Sequence, residues 1–161
     1  MARTESQTRI TPSVLDRLID MDPRESSESP RSRTSNVTDL RQAVRRDLEW
    51  LLNTRTMLDP ANSTLEEAKK SVAFYGLPDF TAIGASSNVE QRRLLESLEN
   101  AITTFEPRFI DVKIILEPLN ELDRQLRFRI EAKLDVDPAP VPVAFDSVLQ
   151  SGSGGFKITE R

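Results

Sequence analysis

The stretch Phe105-Glu106-Pro107-Arg108-Phe109 decides how this chain folds. Ahead of it, Leu94, Leu95, Leu98, Ile102 and Phe105 recur at helical spacing, and beyond it Val112, Ile114 and Leu116 alternate as in a strand. Pro107 has no amide hydrogen and biases Glu106 away from helical dihedrals, so covalent chemistry enforces the change of period. A helix ends and a sheet begins within two residues, and a carboxylate and a guanidinium flank the stiff kink. As an incidental exposed pair these charges contribute only about 0–1 kcal/mol. As an oriented pair they present a carboxylate and a planar fork to a neighbouring element or subunit, because arginine binds carboxylates and carbonyls bidentately.

Upstream, Asn36 is placed to cap a helix, with Asp39 three residues on to favour its dipole. Val37, Leu40, Val44, Leu48, Leu51 and Leu52 form its apolar stripe, and Arg41, Arg45, Arg46, Asp47 and Glu49 lie mostly off it. Trp50 falls at the stripe's edge, where it either finishes the core or anchors a contact. Thr64-Leu65-Glu66-Glu67 reads as a capped helix start running toward Phe74 or Tyr75; Gly76 supplies a left-handed cap and Pro78 bars continuation. Tyr75-Gly76-Leu77-Pro78-Asp79-Phe80 is then a constrained turn carrying three apolar side chains. Asn88, answered by Gln91, opens the long helix as a capping box.

Nearer the N-terminus, Thr11 and Pro12 read as N-cap and first residue of a short helix bearing Val14, Leu15, Leu18 and Ile19. At about two turns it must dock, either on its own domain or on a partner. Asp22 to Ser35 is almost pure Asp, Glu, Arg, Ser and Pro and reads as a flexible linker. The expected organisation is an arm at 1–21, a linker at 22–35 and one domain at 36–161.

Downstream of the kink, Phe109 to Glu117 reads as a first strand and Leu122 to Leu134 as holding a second. In the second, Leu126, Phe128, Ile130, Ala132 and Leu134 share one face, and Gln125, Arg127, Arg129, Glu131 and Lys133 share the other. A third strand carries Val141, Val143 and Phe145, and Phe156 to Thr159 forms a short exposed edge strand after a glycine-rich turn. The fold class is α+β: N-terminal helices packed on a small antiparallel sheet with one wet face.

Composition narrows the chemistry. The 161 residues suit one domain, with a hydrophobic share of 37% and 30% charged residues. Cys and His are both absent, which removes thiol chemistry, disulfides, the triad imidazole and the commonest metal ligand. A net charge of −4 argues against broad affinity for nucleic acid. No apolar run approaches the roughly 18 residues of a membrane span, so no membrane insertion is expected. Neither a cofactor nor a metal site is indicated.

Several motifs together carry a resemblance. They are Arg45-Arg46-Asp47-Leu48-Glu49-Trp50-Leu51-Leu52-Asn53-Thr54-Arg55, Ser71-Val72-Ala73-Phe74-Tyr75-Gly76-Leu77-Pro78-Asp79-Phe80 and Phe105-Glu106-Pro107-Arg108. Leu126-Arg127-Phe128-Arg129-Ile130-Glu131-Ala132 and Pro142-Val143-Ala144-Phe145-Asp146 complete the order. From about Leu15 to Val148 the chain resembles the TssE family of type VI secretion baseplate subunits. That family is related to the baseplate-wedge subunits of contractile-tailed phages and has long been called lysozyme-like.

The resemblance implies a cytoplasmic structural subunit that sits in a wedge with TssF and TssG and helps connect the baseplate to the contractile sheath. It implies that Glu106, Pro107 and Arg108 hold the subunit onto a helical bundle formed by those partners, with Tyr75, Leu77 and Phe80 bracing that surface. On this view Arg108 could be removed with little change in melting temperature. A docking sheath subunit is expected to add a strand at an exposed edge.

Two other functions compete. A lysozyme-like glycosidase needs an acid and an ionised carboxylate about 5–10 Å apart across a glycan cleft. Glu106, Asp111, Glu117 and Glu131 show no such context, and Arg108 favours the ionised form of Glu106, opposite to an acid donor's need. A generic adapter in another assembly would suit the same sheet and helices. The reading is therefore a non-enzymatic structural subunit.

Overall fold

The alternation after Pro107 builds a four-stranded antiparallel meander of β1 (Phe109–Leu116), β2 (Leu126–Leu134), β3 (Val141–Leu149) and β4 (Phe156–Glu160), in that spatial order. The structure is a computed structural model and describes residues 10, 12–19, 24, 37–58, 64–80, 88–117, 126–150 and 154–160. Helix α1 spans Val14–Leu18, α2 Val37–Asn53, α3 Glu66–Lys69 and α4 Asn88–Phe105. The α+β class is as the sequence pattern predicts. The linker apart from Arg24, Asn36, the Asn88 side chain, the β1–β2 turn and the start predicted for the second strand lie outside the described residues.

Both long helices cover one face of the sheet, α2 over β4 and α4 over β1, and they touch each other. Leu40, Val44, Leu48, Leu51 and Leu52 of α2 meet Leu94, Leu98, Ala101 and Ile102 of α4 in the same core cluster. From the sheet, Leu126, Phe128, Ile130, Ala132 and Leu134 enter it, as the period of two requires. The other face is wet. On it Arg129 donates from Nε to Asp146 Oδ1 at 3.0 Å and from Nη2 to Glu117 Oε1 at 2.6 Å.

Strand β1 shows something the alternation alone did not. Phe109 is buried, yet Val112, Ile114 and Leu116, three, five and seven residues on, also face the core. Strict alternation would send one set outward. A bulge between Ile110 and Lys113 adds the extra residue, and Asp111 within it has φ +54°. Aspartate tolerates the left-handed region better than most residues. Lys133 Nζ donates to its Oδ2 at 2.6 Å.

Two local expectations change, and the open placement of Trp50 is decided. The cap of α1 is Ser13, whose hydroxyl accepts from the Asp16 amide at 3.1 Å, and Thr11 and Pro12 lie ahead of it. Ser13 prevails because Asp16, three residues on, returns a bond to the Ser13 amide. The helix predicted from Thr64 toward Phe74 breaks: α3 stops at Lys69 and a 3-10 turn follows at Val72–Phe74. There Ser71 is extended at ψ 163° and its hydroxyl donates to the Ala68 carbonyl at 2.6 Å, competing with the helical ladder. Trp50 is 49% exposed and does not finish the core.

Gly76 adopts φ +111°, and a Cβ there would lie 2.5 Å from the Thr54 carbonyl oxygen. That close approach lets the Leu77 amide reach the Thr54 carbonyl at 2.9 Å and the Thr56 amide reach the Leu77 carbonyl at 2.9 Å. The turn is thereby tied to the end of α2.

Among the described residues two buried side-chain polar atoms lack a partner, Arg41 Nε and the Ser147 hydroxyl. Ser147 on β3 is 1% exposed, and its hydroxyl forms no hydrogen bond among the described residues. Burying an unpaired hydroxyl costs about 1–3 kcal/mol, so Ser147→Ala is expected to raise unfolding free energy by about 1 kcal/mol in urea titration.

Candidate functional site

Hydrogen bonds on both sides fix the kink. The Glu106 amide donates to the Ile102 carbonyl at 2.9 Å, closing α4, and the Phe109 amide returns to the Glu106 carbonyl at 3.2 Å. The Arg108 carbonyl accepts from the Asp135 amide at 2.8 Å, just past the end of β2. Pro107 is exposed at the apex. Between these anchors Glu106 turns inward and is only 4% exposed.

A buried carboxylate needs a partner, and Arg108 supplies it. Its Nε donates to Glu106 Oε1 and its Nη2 to Oε2, both at 2.5 Å, while its own amide reaches Oε1 at 3.3 Å. Nη2 also donates to Asp47 Oδ2 on α2 at 2.7 Å. Asp47 is shared: its Oδ1 accepts from Arg46 Nε at 2.9 Å and Nη2 at 2.7 Å. Arg46 Nη2 then donates to Asp16 Oδ1 on α1 at 2.7 Å, and its guanidinium lies 5.0 Å from the Trp50 ring centroid.

Glu106, Arg108, Asp47, Arg46 and Asp16 thus form one continuous chain of charges, with one more carboxylate than guanidinium. It joins α4, β1, α2 and α1. Burial alone would destabilise the charged guanidiniums, but the carboxylates outweigh it and hold Arg108 and Arg46 above their ordinary values. For Asp16, burial opposes ionisation, and the bonds from Ser13 and Arg46 prevail and hold its carboxyl below the usual value.

Tyr75 belongs to this neighbourhood. It packs edge-on against Phe105, ring centroids 5.3 Å apart at 70°. Burial, then the negative charges of Asp47 and Glu106, raise its hydroxyl above the ordinary tyrosine value. Leu77 is fully buried in the core, and Phe80 is half-buried against it. The structure therefore gathers Glu106, Pro107, Arg108 and Tyr75 at one place, with Leu77 and Phe80 serving the core.

The predicted fork is turned inward, because its bidentate edge is occupied by Glu106. Asp47, Arg46 and Asp16 were not singled out by the sequence pattern. The only hint was that Arg46 and Asp47 lie off the apolar stripe of α2, and nothing local links them to residues some 60 positions later. The arm also docks on its own domain: Ile10 is 6% exposed in the core and Asp16 pairs with Arg46. On α1, Val14, Leu15 and Leu18 face outward.

Among the described residues no His, Cys, Asp or Glu cluster suits a metal ion, and no helix is long and apolar enough to cross a membrane. A shallow open depression of about 520 Å³ lies on the wet face, between Asp111, Lys113, Glu131, Lys133 and Pro142. It lies on the opposite side of the sheet from the helices.

Residues 38–139 match the family described as baseplate wedge protein gp25. No curated protein matches the chain. A chain in a solved structure titled "The baseplate complex from the type VI secretion system" is 18% identical, covers 71% of this chain and 97% of its own length, and superposes with a TM-score of 0.48.

Removing Arg108 leaves a buried carboxylate unpaired, which corrects the expectation of an unchanged melting temperature. Breaking a fully buried pair costs 3–5 kcal/mol, and the Arg108 side chain is 26% exposed. Arg108→Ala is therefore expected to lower unfolding free energy by about 2–3 kcal/mol in denaturant titration, and Arg108→Lys by less. Asp16 gives a pH signature. Its folded value is depressed, so its contribution is complete above the unfolded value near about 4 and is lost as pH falls through the folded one. Amide-exchange protection factors at Arg17 and Ile19, which correct for the intrinsic rate, should fall through that acidic window in the wild type. In Asp16→Asn protection at these amides should be low throughout.

Proposed function

This chain belongs to the gp25 family of baseplate wedge proteins, and from that premise we propose that it is a structural subunit of a type VI secretion baseplate. Its partners in this reading are the wedge subunits TssF and TssG, it works in the cytoplasm, and it helps connect the baseplate to the contractile sheath. One observation carries the reading: the matched span, 38–139, contains both Asp47 and the Glu106-Pro107-Arg108 kink. Family membership and the charge-locked site therefore rest on the same part of the chain.

The site's work is mechanical. Glu106 and Asp47 hold the Arg108 guanidinium in one orientation, Pro107 presents the kink at the surface, and Tyr75 with Phe105 stiffens the ground beside it. Leu77 and Phe80 support that surface from within. Pre-ordering of this kind favours binding because less side-chain freedom is lost on association. No catalytic role is assigned: the Glu106 carboxylate, the lysozyme-like rival's natural acid, is held by two guanidinium bonds.

The test is co-purification with TssF and TssG, comparing wild type with Arg108→Lys and Glu106→Gln after circular dichroism has established that both variants fold. Wild-type association lost in the folded variants is the expected result. If TssF and TssG assemble with each other and leave the wild-type chain behind, the baseplate reading is wrong. If the folded variants still bind, the kink is not the contact.

A further inference from the structure

Helix α1 is attached differently from α2 and α4. None of its five residues is buried, and Val14, Leu15 and Leu18 stand outward. Upstream, Ile10 is fixed in the core. Among the described residues, the Asp16–Arg46 bond at 2.7 Å is the side-chain bond that joins α1 to another element. The same carboxylate also caps the helix, its Oδ2 accepting from the Ser13 amide at 3.2 Å and hydroxyl at 2.7 Å. Water reaches both members of the ion pair, whose side chains are 17% and 25% exposed. A helix this short has little stability of its own, and a partly exposed pair adds little more. Helix α1 therefore has two states within reach, closed on α2 and open, and it opens at lower cost than the core elements.

The bonds beyond Asp16 show what closure does. Arg46 Nη2 is divided between Asp16 Oδ1 and Asp47 Oδ1, both at 2.7 Å, and Nε also goes to Asp47 Oδ1 at 2.9 Å. All the bonds from Arg46 to Asp47 thus fall on one oxygen. The other oxygen, Oδ2, is left to Arg108 Nη2 at 2.7 Å. An arginine with no competing acid favours both oxygens of a carboxylate in a parallel fork. Without Asp16, Arg46 has that option, and a fork on Asp47 draws Oδ2 away from Arg108. Arg46 stays at hand because its guanidinium rests 5.0 Å from the Trp50 ring centroid. Charge acts in the same direction. With α1 closed, Arg46 serves two carboxylates, so Asp47 is less fully neutralised by it and holds Arg108 more firmly.

We infer that Asp16 is a positioning residue for the Glu106-Pro107-Arg108 kink: closure of α1 on α2, relayed through Arg46 and Asp47, fixes the Arg108 guanidinium for a partner, and a partner bound at the kink in turn closes α1. The arm is a strap whose state is linked to assembly. The second half follows from the first, because coupling between two sites is reciprocal. The inference rests on the proposed baseplate role and goes beyond it by naming what regulates the site. The family match at 38–139 contains Arg46, Asp47 and Arg108 but not Asp16, so the regulator lies outside the matched span. The rival is direct contact between the partner and the outward Val14, Leu15 and Leu18, and the two differ in whether Asp47 is needed.

The experiment uses the full chain, first alone and then with purified TssF–TssG complex. In the free chain, NMR reads rotation of the Arg108 guanidinium about its Nε–Cζ bond. Asp16→Asn should speed that rotation about fivefold, the low end of the usual range of coupling. Asp16→Glu, which keeps both the charge and the capping box, should restore it. Asp47→Asn leaves one carboxylate for each guanidinium, and in that background Asp16→Asn should have little further effect. On binding TssF–TssG, exchange at the Arg17 and Ile19 amides should slow about fivefold, and Asp16→Asn should weaken the affinity by a similar factor. Unchanged Arg108 rotation in Asp16→Asn overturns the relay. So does an affinity loss that persists undiminished in the Asp47→Asn background, the sign of direct contact. Equal affinity of Asp16→Asn and wild type, or no added protection of α1 on binding, overturns the link to assembly. Failure of TssF–TssG to bind the wild type defeats the baseplate role, and Arg108 rotation in the free chain still decides the relay.

Discussion

The rest of the structure depends on how the buried carboxylate of Glu106 is neutralised. It stands at the point where Pro107 ends one kind of backbone and begins another, between main-chain bonds that fix the backbone, and it is only 4% exposed. A charge so placed is costly unless it is both paired and hydrogen-bonded. Arg108 satisfies both conditions, and Asp47 shares the load by taking the second bond from Nη2. The kink is therefore locked to α2, and through Arg46 to the N-terminal arm. Removing Arg108, Asp47 or Arg46 takes a partner from residues on two elements, whereas Glu106 and Asp16 are the ends of the chain.

Helix α2 serves three surfaces at once, and its sequence shows how. Its apolar stripe fills the core with Val44, Leu48 and Leu52. One polar flank, with Arg41, Arg45 and Asn53, covers the outward groups of β4. Arg46 and Asp47 belong to the charge chain. Among the described residues, side chains of α2 cover the outward groups of β4 and none cover those of β1, so the two edges of the sheet differ.

Periodicity and proline chemistry made the broad architecture legible. The 3.6-residue repeat before Phe105, the two-residue repeat in Leu126–Leu134 and the stop at Pro107 all translate directly into α4, β2 and the kink. Gly76 was legible as a left-handed cap because glycine takes positive φ without steric cost, and its φ is +111°. The bulge at Asp111 was hidden because no glycine marks it and both parities of β1 carry apolar residues. Asp47 was hidden because its partner lies far along the chain, and charges off an apolar stripe usually face water. Local competition misled the reading of Ser13 and Ser71, where a short side chain captured a backbone group one or two residues from the expected boundary. Trp50, which the stripe's edge left open between core and contact, lies beneath the Arg46 guanidinium, half in solvent.

The most direct test of this account is a double-mutant cycle on unfolding free energy with Asp47→Asn and Glu106→Gln. If the two carboxylates act through the one guanidinium of Arg108, their effects should couple by about 1–2 kcal/mol, within the range seen for residues that share a hydrogen-bond network. If the two effects add to within about 0.5 kcal/mol, the charges are independent surface pairs and the kink is held by its backbone alone.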